Sequence, residues 1–535
     1  MQTRKSLSFQ PTKRDKTPQS TNRSPRQPTH SPQDHYDWGL RSLKAALKLA
    51  GRRKRSSPDL AEGTLIAGAI RDFNLPKIPM HDVGVFTQLL SDIFSPTAVS
   101  AVDADNEKLK LSLDHLQIQA GFVHDPEFTE KVLQLEQLLK CRHSVMILGV
   151  AGAGKTTIWQ MLHKALNVIH AEGDGSEGGD ETKKPTCCYE VVNPKAVTAD
   201  ELFGHVDAAK EWRDGVLSII LRNMRNNVTP FTADMLHKWV VLDGDVDSLW
   251  IENLNSVMDD NKMLTLVNNE RIPLDPSMRM LFEVHKLDNA TPATISRAAM
   301  LYVNKEDIGW TGIIESWVAR RADLQDICHN FTSLCNRHVG AALGVVKDKR
   351  LANIVPMSGV SVVHTVTHLL GCLLDSMDAA DKQLGKVEKL LVFCIMSAFG
   401  ASFKSTDSAH IFAESWKDRT NLHLTISSNS GSNNASPRVG KVGVLTNRST
   451  NLCECFLNME TMEFQPWQDR VPVYMSDSVQ FNFGHVVIPT AQTVRVNFLM
   501  GLLLSKKRPV LLVGEAGIGK TLLVSDHLQT QVCPG

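Results

Sequence analysis

The stretch SVMILGVAGAGKTT, residues 144–157, decides how the rest of the chain is read. Ser144 to Leu148 is a short apolar run that predicts a buried strand, and a glycine-rich turn follows at once. Gly149, Gly152, Gly154, Lys155 and Thr156 then complete the spacing GxxxxGK[ST]. In that spacing the glycines let backbone amides converge on the β- and γ-phosphates of a nucleotide, and the helix beyond offers its positive N-terminal end. Lys155 is placed to neutralise phosphate charge and Thr156 to hold Mg²⁺. Ile158, Met161, Leu162, Ala165 and Leu166 recur at helical spacing after the loop, so strand, loop and amphipathic helix occur in the required order. The pattern returns near the C-terminus. After the apolar run Val510 to Val513 come Gly514, Gly517, Gly519, Lys520 and Thr521, with Thr521 as the second Mg²⁺ donor. Two such loops predict tandem nucleotide-binding modules of the α/β class, each a parallel sheet sandwiched by helices.

A phosphate loop needs an acid at the end of a neighbouring strand to organise the Mg²⁺ shell. WVVLD, residues 239–243, supplies one, with Asp243 as the candidate Walker B aspartate. The next position is occupied in a hydrolysing AAA+ site by a glutamate that polarises water, and here it is Gly244. Loss of a general base removes roughly 10²–10⁴ in rate, so this pocket is expected to hold its nucleotide far longer than it cleaves it. Asp245, Asp247 and Glu252 are the nearby carboxylates; strand alternation puts the first two on the side of Asp243, and all three are read as facing solvent. Asn289, beyond the predicted strand Met280 to Val284, is either a γ-phosphate sensor or a turn-forming residue. Arg297 closes ATPATISR, residues 290–297, on an expected helix at the rim of the module. It is read, in preference to a surface salt bridge, as a finger reaching a neighbouring module's nucleotide, worth roughly 10³–10⁵ in rate.

Working outward, 535 residues hold several compact units at roughly 150 residues per domain. Lys plus Arg and Asp plus Glu are each 58, so no global field favours nucleic acid or an anionic membrane, and neither is expected as a partner. The longest apolar run, Leu390 to Phe403, is too short to span a bilayer. The N-terminus lacks the apolar segment of a secretion signal, and a cytoplasmic location is expected. The 10 cysteines form no CxxC pair and are read as reduced thiols. Residues 1–34 are basic and poor in apolar groups, and read as a disordered tail, either a docking arm or a solvated leader. Leu40 to Ala50 and Ala61 to Phe94 read as helical, with Arg52 to Arg55 a basic loop and residues 97–120 a linker. Phe128 to Leu139 reads as a helix. Ala171 to Lys184 and Ser427 to Pro437 read as polar surface inserts. Glu315 to Cys335, Val362 to Ser376 and Lys386 to Phe403 read as helices of a lid, and Ala491 to Leu504 as the helix that precedes the second loop.

HYDWGLRSLKAALKLAG (35–51), NPKAVTADELFG (193–204), KWVVLDGDVDSLWIENLNSVMDDNKMLTL (238–266), NERIPL (269–274) and ATPATISRA (290–298) together resemble dynein heavy chain, most of all its axonemal outer-arm members. The resemblance implies a ring of six AAA+ modules, of which residues 35–96 match the helical lid of the first. Residues 121–305 match the α/β core of the second, 306–470 its lid and connecting helices, and 480–535 the opening of the third. By the same resemblance Arg41 is a sensor-2-like arginine of the first module's lid, its alternative being an ordinary helix-end cation. Arg297 becomes the finger extended into the first module's hydrolytic pocket. Lys155, Thr156 and Asp243 match a site that binds ATP with little or no turnover. The resemblance also implies dynein intermediate and light chains, and microtubules engaged through regions not matched here, in the axoneme of a cilium or flagellum. The first module's own loop, the stalk, the linker and the cargo-binding tail have no counterpart in the sequence, so a fragment of a longer heavy chain is expected rather than a degenerate derivative. A stand-alone regulatory or structural ATP-binding AAA+ protein is the alternative. A small-molecule kinase is disfavoured by the absence of a recognisable acceptor base.

Overall fold

The structure, a computed structural model, describes residues 36, 38–56, 58–94, 107–173, 186–228, 230–233, 235–304, 309–347, 351–355, 357–378, 381–422, 451–472 and 488–531. The basic tail, most of the insert 171–184, the insert 427–437 and the first part of the 97–120 linker lie outside the described residues.

Among the described residues eleven strands follow one another: β1 (Ser144–Leu148), β2 (Cys187–Val192), β3 (Gly204–Val206), β4 (Trp212–Asp214), β5 (His237–Asp243), β6 (Met263–Thr265), β7 (Arg271–Pro273), β8 (Met278–Val284), β9 (Ala299–Tyr302), β10 (Cys455–Asn458) and β11 (Glu463–Pro466). Five of them form a parallel sheet in the order β2-β5-β8-β1-β9, and the others pair as three short hairpins. β1 and β2 are consecutive yet not adjacent, because the helix Lys155–Gly173 carries the chain across the sheet. Both faces are covered, which is why β1 is buried at every position and reads as a continuous apolar run. Alternation along β5 divides the core: Trp239 and Val241 pack with Leu113, Phe128, Val132 and Trp159, while Val240 and Leu242 pack with Leu217, Leu221, Trp250 and Phe282.

The core helix Pro126–Cys141 is capped by Asp125, whose carboxylate accepts the amides of Glu127 and Phe128. Three N-terminal helices, Leu40–Ser56, Glu62–Asn74 and Met80–Ile93, precede this core, the last two separated at Pro76 and Pro79. Arg52 to Arg55, expected as a loop, instead ends the first of these helices. Arg53 donates to Asp72 at 2.6 Å and Arg52 to the carbonyl of Lys140 at 2.5 Å, and cations suit a helix C-terminus. The linker expectation also needs correcting. Glu107–Gln119 is a helix that buries Leu109 and Leu113, four residues apart on one face, against the core.

The lid contains the helices Thr311–Ala319, Cys328–Val346, Gly359–Asp375, Leu384–Gly400 and Thr406–Thr420, so the expected helix 315–335 is two helices joined by a 3₁₀ turn at Ala322–Ile327. The apolar run beginning at Leu390 is the buried spine of this lid, where Phe399 stacks on Phe412 with ring centroids 5.2 Å apart. Among the described residues no helix is long and apolar enough to cross a membrane. The β10-β11 hairpin interrupts what the sequence presented as connecting helices. Beyond it the helix Ala491–Ser505 docks on the lid, with Phe498 against Phe393 and Trp467 and Arg495 donating to the carbonyl of Cys453. The strand expected at 510–513 is not formed. Leu511 is 84% exposed and nothing pairs with this segment among the described residues, so it has no ladder to join.

Phe282 is fully buried in the sheet and stacks on Trp250. Phe282→Ala is expected to destabilise the core by about 3–5 kcal/mol. Lys44→Ala, which removes an exposed ion pair to Asp260, is expected to change stability by less than about 1 kcal/mol. Urea unfolding of both variants measures the difference.

Candidate functional site

Three strands end side by side at one edge of the sheet. β1 runs into the loop Gly149 to Gly154; β8 places Glu283 next to Ile147 of β1 on one side and Asp243 of β5 on the other. The loop is fixed to this edge by the amide of Gly149 donating to the carbonyl of Val284 at 3.1 Å. Gly152 and Gly154 take φ of +78° and +83°, the left-handed region that a glycine enters without strain. At Gly149 space is the constraint: a Cβ there would lie 2.6 Å from the carbonyl oxygen of Val303.

Lys155 opens the following helix and folds over the loop, its ammonium donating to the carbonyls of Gly149 and Val150 at 2.9 and 3.1 Å. Partial burial lowers its pKa, opposed by the negative charges of Glu283, Asp243 and Asp245. The Thr156 hydroxyl donates to Glu283 Oε2 at 2.8 Å, and Asp243 is exposed at the end of β5. Thr156 and Asp243 are hard oxygen donors beside a loop of backbone amides. Among the described residues no cluster of three or more His, Cys, Asp or Glu forms a cage for a metal. Such a sparse set fits Mg²⁺, which keeps several waters and takes further oxygens from phosphate.

Gly244 stands beside Asp243, and a Cβ on it would lie 3.3 Å from both Asn193 Oδ1 and Pro194 Cδ. The neighbouring acids are not placed by strand alternation, because β5 ends at Asp243. Asp245 accepts the amide of His285 at 2.8 Å, Asp247 caps the helix Ser248–Ile251, and Glu252 is exposed. The lid approaches through Val360, whose Cγ1 is 3.8 Å from the Cβ position of Gly152. Asn289 is exposed in a turn closed by the Ala290 amide and the Leu287 carbonyl, five residues past the end of β8. The side chain of β8 that reaches the loop is Glu283. It stood in no motif, and its bond to Thr156 crosses 127 positions of sequence.

Arg41 and Arg297, chosen from separate stretches of sequence, meet on one carboxylate. Asp259 Oδ1 is 3.2 Å from Arg41 Nη2 and 2.9 Å from Arg297 Nε. Arg41 also donates to the Ser296 hydroxyl at 2.9 Å. Arg297 lies not on a rim helix but two residues beyond the single turn Pro292–Ile295, in the approach to β9. The second loop copies the first locally: Gly517 and Gly519 have φ of +83° and +86°, and Lys520 donates to the carbonyls of Gly514 and Glu515. Thr521 follows Lys520 into the helix Lys520–Gln531.

Four family models match the chain: "hydrolytic ATP binding site of dynein motor region" over residues 25–156, "AAA domain (dynein-related subfamily)" over 144–298, "dynein heavy chain AAA lid domain" over 331–469, and "P-loop containing dynein motor region" over 475–533. The ciliary dynein beta chain of Tripneustes gratilla is 40% identical over 93% of this chain and 10% of its own length. Human dynein axonemal heavy chain 9 is 38% identical with the same coverage. The flagellar outer-arm dynein beta chain of Chlamydomonas reinhardtii is 32% identical over 92% of this chain. The chain spans about one tenth of the length of these curated relatives.

Lys155→Ala removes the cation over the loop while sparing the sheet beneath it. Its affinity for ATP is expected to fall roughly 10- to 100-fold, as loss of a hydrogen bond to a charged group does, with thermal melting unchanged. Equilibrium titration with a fluorescent ATP analogue measures it.

Proposed function

The chain belongs to the dynein heavy-chain family, and from that premise we propose that its complete loop site binds ATP and retains it, while its two arginines complete the nucleotide pocket of a preceding module. We assign residues 35–96 to the first module's lid, 121–305 together with the helix Glu107–Gln119 packed on it to the second module's core, 306–470 to its lid and connecting segments, and 480–535 to the opening of the third. Within the second module the loop amides and Lys155 bind the phosphates. Thr156 and Asp243 hold Mg²⁺, which when bound neutralises phosphate charge. Gly514, Gly517, Gly519, Lys520 and Thr521 begin an equivalent site.

The observation that carries the retention reading is the glycine beside Asp243. The acids nearest to it are committed elsewhere, Asp245 to a backbone amide and Asp247 to a helix cap. The lid approaches the loop through Val360, which is apolar. ATP bound here acts as a staple that favours the folded, assembled ring by mass action. The convergence of Arg41 and Arg297 supports the second half of the proposal, since two guanidinium groups held at one spot suit a polyphosphate presented by a neighbour. In the whole heavy chain these arginines couple hydrolysis in the first module to rigid-body movement of the ring. The protein then works in an axonemal dynein with intermediate and light chains and the remaining AAA+ modules. It engages microtubules through other parts of the heavy chain.

Three measurements test this. After incubation with MgATP, the purified chain is expected to carry mostly ATP and to release phosphate slowly; brisk, repeated release by the wild type sinks the retention reading. Gly244→Glu, for which Asn193 and Pro194 must shift by a few tenths of an ångström, is expected to raise turnover by about 10²-fold or more. Arg297→Ala in a full-length heavy chain is expected to cut microtubule-stimulated ATPase by roughly 10³–10⁵-fold, with nucleotide binding at the second module intact.

A further inference from the structure

Glu283 is an acid that the sequence motifs leave out and the fold buries. Its residue is 6% exposed, and its neighbours in the sheet are Ile147 and Asp243. Both carboxylate oxygens are bonded to the helix that follows the phosphate loop. Oε2 accepts the hydroxyl of Thr156 at 2.8 Å, and Oε1 accepts the indole N–H of Trp159 at 2.5 Å. Trp159 is itself buried and held edge-on by Tyr189, with ring centroids 4.8 Å apart. The carboxylate is therefore fixed from one side by a rigid indole, and its other oxygen is left to direct the threonine.

A hydroxyl has one proton and two acceptor lone pairs. With the proton of Thr156 committed to Glu283, only lone pairs remain to face the loop, which is the arrangement a hard cation takes as a ligand. We infer that Glu283 is a positioning residue for Mg²⁺: it acts through Thr156 and makes nucleotide retention at this loop depend on the divalent cation. The inference rests on, and deepens, the reading of the loop as an ATP site. Charge works in the same direction as geometry. A fixed carboxylate beneath the phosphates repels them until a divalent cation offsets it, in a partly buried setting where screening by water is weak. Without Mg²⁺ the site is a poor anion trap, and with Mg²⁺ it is a tight one. Partners that orient a metal ligand in this way are worth roughly 10–100-fold in metal affinity.

The test is a thermodynamic cycle on the full 535-residue chain. ATP affinity is titrated in excess Mg²⁺ and in EDTA for the wild type, Glu283→Gln, Thr156→Val and the double variant. The expected result for E283Q is a fall of roughly 10–100-fold in the ratio of the two affinities. Its affinity in EDTA should be unchanged or improved, because a negative charge has gone. The double variant should lose no more than T156V alone, since both act through one hydroxyl. Equal weakening in both buffers, an unaltered ratio, or additive losses overturn the inference while leaving the ATP site standing. Failure of the wild type to bind ATP in either buffer overturns the site and the inference together.

Discussion

Parallel pairing of β1, β8 and β5 is the constraint on which the rest of the site depends. These strands are joined by segments of very different length, yet their register brings Gly149, Glu283 and Asp243 to one edge. A parallel sheet with both faces buried presents its chemistry at the carboxyl ends of its strands, because only there do loops leave the core. The core enforces that register. Sliding β8 by one residue would turn Phe282 and Val284 away from the cluster that contains Trp250 and Leu242, and would bring the carboxylate of Glu283 into apolar packing. Packing and site geometry are therefore one requirement.

The same edge explains a division of labour among the acids. Asp243 remains exposed at the end of its strand, Asp245 ties the turn after β8 to the end of β5, Asp247 starts a helix, and Glu283 faces the helix behind the loop. Four carboxylates lie near a phosphate-binding loop, three with structural duties read directly from their bonds. None stands at the position after Asp243. Abundance of negative charge in a pocket is a different property from possession of a base aimed at water.

What could be read beforehand was whatever is encoded locally. Both glycine-rich loops, the run into Asp243 and the lid helices Gly359–Asp375 and Leu384–Gly400 depend on patterns within about one turn or one strand, and each lies close to where the spacing put it. Elements that missed expectation depend on partners distant in sequence. Arg52 to Arg55 is helical because Asp72 and the Lys140 carbonyl receive it. Glu107–Gln119 is helical because a core face awaits Leu109 and Leu113. Val510 to Val513 has the composition of a strand without a paired neighbour. Glu283, in the strand MRMLFEV, belonged to no motif, and its side-chain partners Thr156 and Trp159 lie more than a hundred residues upstream. Arg297 and Arg41 were picked out from separate stretches, and Asp259, which joins them, lies in the quoted stretch 238–266 but was given no role there.

That shared carboxylate makes the joint between the N-terminal helices and the α/β core responsive to its ionic surroundings. Asp259 bridges two guanidinium groups, that of Arg41 from the N-terminal helix and that of Arg297 from the core. The two arms are unequally sheltered, with the side chain of Arg41 45% exposed and that of Arg297 17%. Dissolved salt weakens the sheltered contact less than the open one. Rising ionic strength therefore screens the Arg41 contact more than the Arg297 contact, so the tie from the N-terminal helix weakens before the core's own.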